Sequence, residues 1–335
     1  MSSARPAVAI VGGRSTLGQA LLALLAVRRF PLRALHVLDE AAQAGEEYSF
    51  ANTTGTMADA AQFDFSQVEL VFFATEAASM AYTDAALAAG CQVIDHSLRA
   101  RQNPELPLIV PEVNLPRLTA APHPVIASPD PLTVQLAVAL QPIRSVAGIV
   151  QLHVATYQAV SSSGQGGLEE LARQTALLLN GRPIQPQLFN RQIAFNVLPQ
   201  VDQLLDNGYT RQEMSLIQEL RRVFDDPALA VHATAVQVPV FHGHALAVHL
   251  RTRIPTAASE VRQLLTQQPG LRISDHRNHP TPATEAAQGD DIYVGRIRTD
   301  LSDPQGLNLW IVADDLRRGG ALNSIQIAEF LIKNF

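Results

Sequence analysis

Apolar and polar positions follow two different patterns along this chain, and the change between them divides it. In the first 130 residues, short unbroken apolar runs recur at 7–11, 35–38, 68–74 and 93–94, with a short β-rich run at 124–127. Runs of that kind suit parallel strands covered on both faces. Segments with helical spacing lie between them at 19–27 and 79–89. Strand and helix in alternation predict an α/β unit around a parallel sheet. Past the turn at 128–131, residues 132–140 carry apolar positions at helical spacing and 149–159 read as a long β run. The Gly-rich 161–167 reads as loop, 168–179 and 211–224 as helices, and further β runs follow, 308–315 being a strand into a turn. Strands interleaved with few helices predict an α+β domain with a mixed or antiparallel-rich sheet. A last helix is expected from the glycines at 319–320 onward.

Length and charge narrow the classes. A chain of 335 residues is long enough for two domains, each with its own core. A net charge of −6 provides no basic field for nucleic acid or an anionic membrane. No apolar run reaches spanning length, and the start Met1-Ser2-Ser3-Ala4-Arg5-Pro6 leads into a strand instead of a signal peptide, so a cytoplasmic protein is expected. Cys91 is the only cysteine and has no internal disulfide partner; its helix-to-strand setting reads as a small buried thiol. Lys333 is the only lysine, which leaves Schiff-base chemistry one candidate, near the end of the chain. His242 and His244 fall on one strand face by period-2 alternation, with His249 further on, but no cysteine or carboxylate stands at ligand spacing, and no metal site is expected.

Three stretches carry candidate chemistry. Gly12-Gly13-Arg14-Ser15-Thr16-Leu17-Gly18 follows the first strand and opens a helix, the arrangement that sets a dinucleotide phosphate on a helix N-terminus. The same glycines also serve a tight turn and close helix–strand packing. Asp39-Glu40 ends the second strand, where an acidic side chain can take a ribose hydroxyl. In Ser128-Pro129-Asp130-Pro131-Leu132-Thr133-Val134-Gln135, Asp130 suits an N-cap and Pro131 the first helical position. A helix N-terminus reached by a tight turn is a place to hold an activated thiol. Here it holds a proline.

That last stretch resembles the active-site segment of the aspartate-semialdehyde dehydrogenase family, close to Ala-Asn-Pro-Asn-Cys-Ser-Thr-x-Gln, with Pro131 where the catalytic cysteine stands. Other family-like segments lie at 108–114, 157–161, 195–202, 279–282, 294–298 and 319–329. The resemblance implies a Rossmann-like NAD(P)-binding-type domain at 1–130, a substrate and dimerisation domain at 131–318, and a C-terminal helix at 319–335 returning to the first domain. It implies cofactor contacts at Gly12, Gly13, Ser15, Leu17, Gly18 and Asn323, the last toward the nicotinamide amide. Arg101 matches the family's phosphate-binding arginine, Gln158 the glutamine that orients substrate, and His244 the general base that would deprotonate the thiol. Gln212 and Ser215 stand in the slots of a substrate-binding glutamate and lysine, with Glu213 leaving the register open by one. Gln237 replaces the arginine that forks onto the substrate carboxylate, and a lost bidentate guanidinium removes charge and geometry together.

NAD or NADP is implied by the resemblance. NADP is disfavoured, because Glu40 and Ala42 replace the serine and arginine that grip its 2′-phosphate, and a carboxylate near a dianion costs on the order of a few kcal/mol. Glu76 adds a carboxylate near where a pyrophosphate would lie. The family performs an NADP-dependent reductive step of aspartate amino-acid biosynthesis. With the nucleophile, the phosphate clamp and the carboxylate fork replaced, the chain is similar to the Usg-type paralogues of that dehydrogenase. The expectation is a catalytically inactive, homodimeric paralogue with a small-molecule pocket. An oxidoreductase with altered substrate and cofactor, and a dimeric interaction or regulatory protein, are the alternatives.

Overall fold

In the computed structural model, residues 5–119, 123–274, 278–287 and 289–333 are described, and the chain forms two compact units: residues up to 130 with those from 320 onward, and 131–319. The start on which the signal-peptide reading rests falls partly on residues 1–4, outside the described residues.

The first unit runs β1 (Ala7–Val11), α1 (Thr16–Val27), β2 (Ala34–Asp39), a hairpin of β3 (Glu47–Phe50) and β4 (Thr53–Thr56), β5 (Ala58–Asp59), β6 (Leu70–Phe73), α2 (Glu76–Ala88), β7 (Gln92–Asp95), α3 (Leu98–Gln102), α4 (Pro111–Asn114) and β8 (Val125–Ala127). Six of these strands form a sheet in the order β5-β2-β1-β6-β7-β8, every pairing parallel. Both β1 and β6 are buried along their whole length, which is why neither contains a polar residue. Val8, Ile10 and Phe72 feed the core on one face and Ala9, Val11 and Phe73 that on the other. Cys91 closes the second core, its S–H directed at the carbonyls of Val68 (3.2 Å) and Phe65 (3.3 Å), and burial, then the nearby Glu69, pushes the thiol up. The strand order reverses between β1 and β6, and in such a sheet ligands bind beyond the strand ends at the reversal.

The second unit runs α5 (Pro131–Ala147), β9 (Ile149–Gln158), α6 (Gly164–Leu179), α7 (Arg211–Val223), β10 (Ala230–Gln237), β11 (His244–Thr252), α8 (Ala258–Thr266), β12 (Leu271–Ile273), β13 (Ile292–Thr299) and β14 (Gly306–Ala313). Its sheet has the order β10-β9-β11-β14-β13-β12, antiparallel in the three central pairs and parallel at both edges, a mixed sheet. Along β10 buried and exposed residues alternate, so one face is covered and the other open. Helices α5, α7 and α8 pack against this sheet. The chain closes with α9 (Leu322–Lys333) in the first unit, where Leu322, Ile325 and Ala328 join the core that contains Leu21 and Leu25 of α1.

Several boundaries differ from the sequence expectation. The Gly-rich run is not a loop: a 3-10 turn at Val160–Ser163 leads directly into α6 at Gly164. Gly167 is needed inside that helix, since a Cβ there would lie 2.2 Å from the Val160 carbonyl oxygen. Helix α5 continues through Pro142 because Ile143 and Ala147 keep its apolar face buried. The last helix begins later than its glycines suggested, after a π-helical turn at Asp315–Ala321. His242 does not share a strand with His244. Gly243, at φ +84°, breaks the alternation, and β11 starts only at His244.

Candidate functional site

In the first unit, the turn after β1 is built by contacts that only small residues permit. Gly12 has φ +88°, and a Cβ on it would stand 2.9 Å from Thr75 Cγ2, across the strand-order reversal. A Cβ on Gly13 would meet Val37 Cγ1 at 2.3 Å, and one on Gly18 the Gly12 carbonyl oxygen at 2.3 Å. Leu17 packs into the core. Ser15, which departs from the family glycine, is the N-cap of α1: its hydroxyl donates to the Gly12 carbonyl (2.6 Å) and accepts from Gly18 N–H (3.0 Å). A side-chain oxygen thus satisfies part of the helix end that an anion would otherwise use.

The turn is held to β2 as well. Gly12 and Gly13 N–H donate to the Leu38 carbonyl, and the Asp39 carboxylate accepts from the N–H groups of Arg14 (2.8 Å) and Glu40 (2.9 Å). Arg14 pairs with Glu46. Gly12, Ser15, Asp39, Glu40, Thr75 and Tyr82 border a hollow of about 500 Å³. Glu76, expected near a pyrophosphate, instead accepts from the N–H groups of Leu98 (2.6 Å) and Arg99 (3.3 Å) at the start of α3.

Arg101 is not held out toward an anion. Its Nη1 lies 2.9 Å from Asp130 Oδ2, with both side chains largely buried, so the guanidinium already has a carboxylate in hydrogen-bond contact. Asn323 is fully buried; its Nδ2 donates to the Ile109 carbonyl and to Ser128 Oγ, each at 3.0 Å, while Oδ1 has no hydrogen-bond partner among the described residues. His96 shares a 2.6 Å hydrogen bond with Ser324, and burial, then the Arg101 charge, pushes its pKa down to about 3. Burial raises the Asp95 carboxyl despite hydrogen bonds from Ser79 (2.6 Å) and Ser97 N–H (2.8 Å).

In the second unit, Pro131 is the first residue of α5. Gly319 lies against it so closely that a Cβ there would stand 2.5 Å from Pro131 Cβ. The hydroxyl two residues on, a weak candidate to stand in for a thiol, is committed: Thr133 Oγ1 donates to Glu219 Oε2 at 2.8 Å, both residues buried. Gln158 and Gln237 are joined, Gln237 Nε2 donating to the Gln158 carbonyl (2.8 Å), while Gln158 Nε2 donates to Thr156 Oγ1 (3.1 Å).

His244 is 2% exposed and its orientation is fixed from both sides. Nδ1 accepts the Ala159 N–H at 3.2 Å, which puts the proton of the neutral ring on Nε2, 4.0 Å from Asp315 Oδ2. Asp315 also accepts from Ser161 Oγ (2.8 Å) and Gly243 N–H (3.1 Å). A neutral ring so arranged offers no lone pair on Nε2 to abstract a proton. Gln212 is half-buried in the first turn of α7; Ser215 is buried and its Oγ has no hydrogen-bond partner among the described residues. Glu213 accepts from Thr210 N–H (2.7 Å) in a capping box and from Ala235 N–H on β10 (2.8 Å).

Each unit therefore gathers its own set: Gly12, Gly13, Ser15, Leu17, Gly18, Arg101 and Asn323 in the first, Pro131, Gln158, Gln212, Ser215, Gln237 and His244 in the second. Two carboxylates escaped the sequence reading, Asp315 beside His244 and Glu219 beneath Thr133, and a third, Asp130, expected only as an N-cap, is the partner of Arg101. Their types were visible, as in the Asp314-Asp315 doublet after β14, but their partners lie tens of residues away. Among the described residues no group of three or more His, Cys, Asp or Glu converges to hold a metal ion, and no helix is long and apolar enough to cross a membrane.

Comparison with known proteins gives a consistent result. The family model described as the semialdehyde dehydrogenase NAD binding domain matches residues 7–121, and that of the semialdehyde dehydrogenase dimerisation domain residues 140–318. An aspartate-semialdehyde dehydrogenase of Legionella pneumophila is 43% identical over 98% of this chain and 96% of its own length. A USG-1 protein homolog of Pseudomonas aeruginosa is 39% identical over 98% of both chains. The crystal structure of aspartate semialdehyde dehydrogenase II from Vibrio cholerae, described as complexed with ASA, superposes with a TM-score of 0.96 at 40% identity, covering 99% of each chain.

Proposed function

The chain belongs to the aspartate-semialdehyde dehydrogenase family, and from that premise we propose that it is a homodimeric member that has lost the dehydrogenase reaction and retains a pocket for a small ligand. The observation that carries this reading is Pro131 at the start of α5, where a tertiary amide nitrogen and a saturated ring provide no atom able to bond covalently to an aldehyde carbon. Independent features support it. Arg101 is neutralised by Asp130, Gln237 is a neutral amide bound to the Gln158 backbone, Ser215 has no charge, and the His244 tautomer points a proton, not a lone pair, toward Asp315. The match to the dimerisation domain supports the homodimer.

Purified protein with L-aspartate β-semialdehyde, phosphate and NADP or NAD tests the reading. The expected result is no reduced nicotinamide above the enzyme-free rate; turnover within about tenfold of an active relative assayed alongside would refute it.

A second reading, an oxidoreductase of altered cofactor and substrate, is favoured by the hollow beside Gly12. The Asp39 and Glu40 carboxylates at its edge suit ribose hydroxyls and repel a 2′-phosphate, so the nucleotide that fits is NAD. The cofactor would supply hydride transfer; Gly12 would admit the pyrophosphate and Asp39–Glu40 the adenosine ribose.

A further inference from the structure

The open face of the second unit's sheet carries a feature that the reaction of the family does not use. Strand register places His232 on β10 opposite His153 on β9, His153 opposite His249 on β11, His249 opposite Asn308 on β14, and Asn308 opposite Arg298 on β13. Three histidines therefore stand in one row across three neighbouring strands. The rings are in contact: His153 and His232 are stacked with centroids 4.7 Å apart, and His153 and His249 are 5.8 Å apart. The row borders a hollow of about 310 Å³, which Thr234 and Ala247 continue toward the half-buried Trp310 and Tyr157.

We propose that the histidine row makes the homodimer contact of this domain acid-labile, the two copies meeting across this face. The inference rests on the homodimer reading above and adds a regulatory property to it. The dimerisation-domain match spans all the strands concerned. In a two-fold contact the same patch is used on both copies, so a row of three becomes a cluster of six. Neutral imidazoles stack and exchange hydrogen bonds there; imidazolium rings repel one another and must be stripped of water.

The charges facing the row are unevenly placed. Asp300 accepts or shares a 2.9 Å hydrogen bond with His249, and its pKa is held at about 2, mostly by Ser302, so it can stabilise one imidazolium. His153 has no carboxylate partner of that kind; partial burial, then the charges of His232 and His249, lowers its pKa. Arg298 adds a positive charge at the far end, and Arg251, further along β11, is ion-paired with Asp303. The balance on the row is thus cationic at low pH. A group whose pKa is lowered further in the dimer stabilises it above the histidine range, and that stability is lost as pH falls through it, about tenfold in Kd per pH unit for each linked proton.

Sedimentation of the full chain over a concentration series at about pH 8 and about pH 5.5, with near-UV dichroism to confirm folding, reads this directly. The expected result is a dimer at the higher pH whose Kd rises about a hundredfold or more at the lower, and a variant H153Q/H232Q/H249Q that stays dimeric at both. At the higher pH, where folding is not in question, H153R with its permanent charge weakens the dimer. An unchanged wild-type Kd at low pH, equal acid dissociation of the triple variant, or no effect of H153R overturns the proposal while leaving the homodimer intact. A wild-type monomer at both pH values removes the homodimer reading itself.

Discussion

A thiolate at the start of α5 would sit at the positive end of a helix dipole with a histidine elsewhere in the same unit to deprotonate it. On the proposed reading Pro131 removes the nucleophile, and other positions that the resemblance implies for substrate carry different side chains as well, which separates a single lesion from abandoned chemistry. If only the sulfur were missing, restoring it would restore turnover. Arg101 paired with Asp130, Gln237 in the arginine slot and Ser215 in the lysine slot predict that Pro131→Cys does not. The variant is expected to show no semialdehyde-dependent NADPH or NADH formation above the parent, measured by absorbance, although its thiol is alkylated by iodoacetamide. His96 gives a second prediction at this scale. Its pKa is lowered from 6.5 to about 3, so the unfolded chain binds the extra proton between those values. Stability supplied by this residue is complete above about pH 6.5 and is lost as pH falls below it, by up to about tenfold in the folding constant per pH unit. Urea unfolding from about pH 7 to about pH 4 is expected to show a shallower decline for His96→Gln than for the parent.

At the scale of elements, side chains that resemble substrate ligands by position prove to hold secondary structure. Glu213 lies beside the slot where the family keeps a glutamate, yet both its oxygens are committed, one to the N-terminus of α7 and one to Ala235 on β10. Removing it leaves two buried N–H donors unpaired. Glu213→Ala is therefore expected to destabilise by about 2–4 kcal/mol, read from chemical denaturation, whereas Gln212→Ala, half-buried in the same turn, is expected to cost under about 0.5 kcal/mol. Glycines behave similarly. The sequence predicts loop at Gly167, which instead lies in a helix, because its lack of a Cβ lets the first turn of α6 close on Val160. Glycine content signals a break in structure or a close approach, and only the packing tells which.

At the scale of the molecule, the first unit keeps the parallel sheet and the reversal at β1 and β6 where a nucleotide is expected, while the groups nearest that point have become self-satisfying. Ser15 caps α1, Glu76 caps α3 and Asp39 binds the turn after β1. A nucleotide must displace or share these contacts, and a 2′-phosphate must also face Asp39 and Glu40. Thermal unfolding with NAD, NADH, NADP and NADPH tests this. A positive shift is expected with NAD or NADH, and none with the phosphorylated forms at equal concentration.

The sequence by itself determined the strand and helix order, the parallel first sheet and the mixed second one, since burial on one face or two is written in the hydrophobic period. It also determined that proline stands at 131, serine at 215 and glutamine at 237, which are matters of residue identity. Only the tertiary structure decided which groups are neighbours: Arg101 with Asp130, His244 beside Asp315, Glu219 beneath Thr133. It alone brought His153, His232 and His249 into one row, from strands separated by as many as 96 residues in the chain. Hydrophobic pattern is a local property that each segment carries alone, whereas a hydrogen bond or ion pair exists only between two groups, and the fold chooses the second.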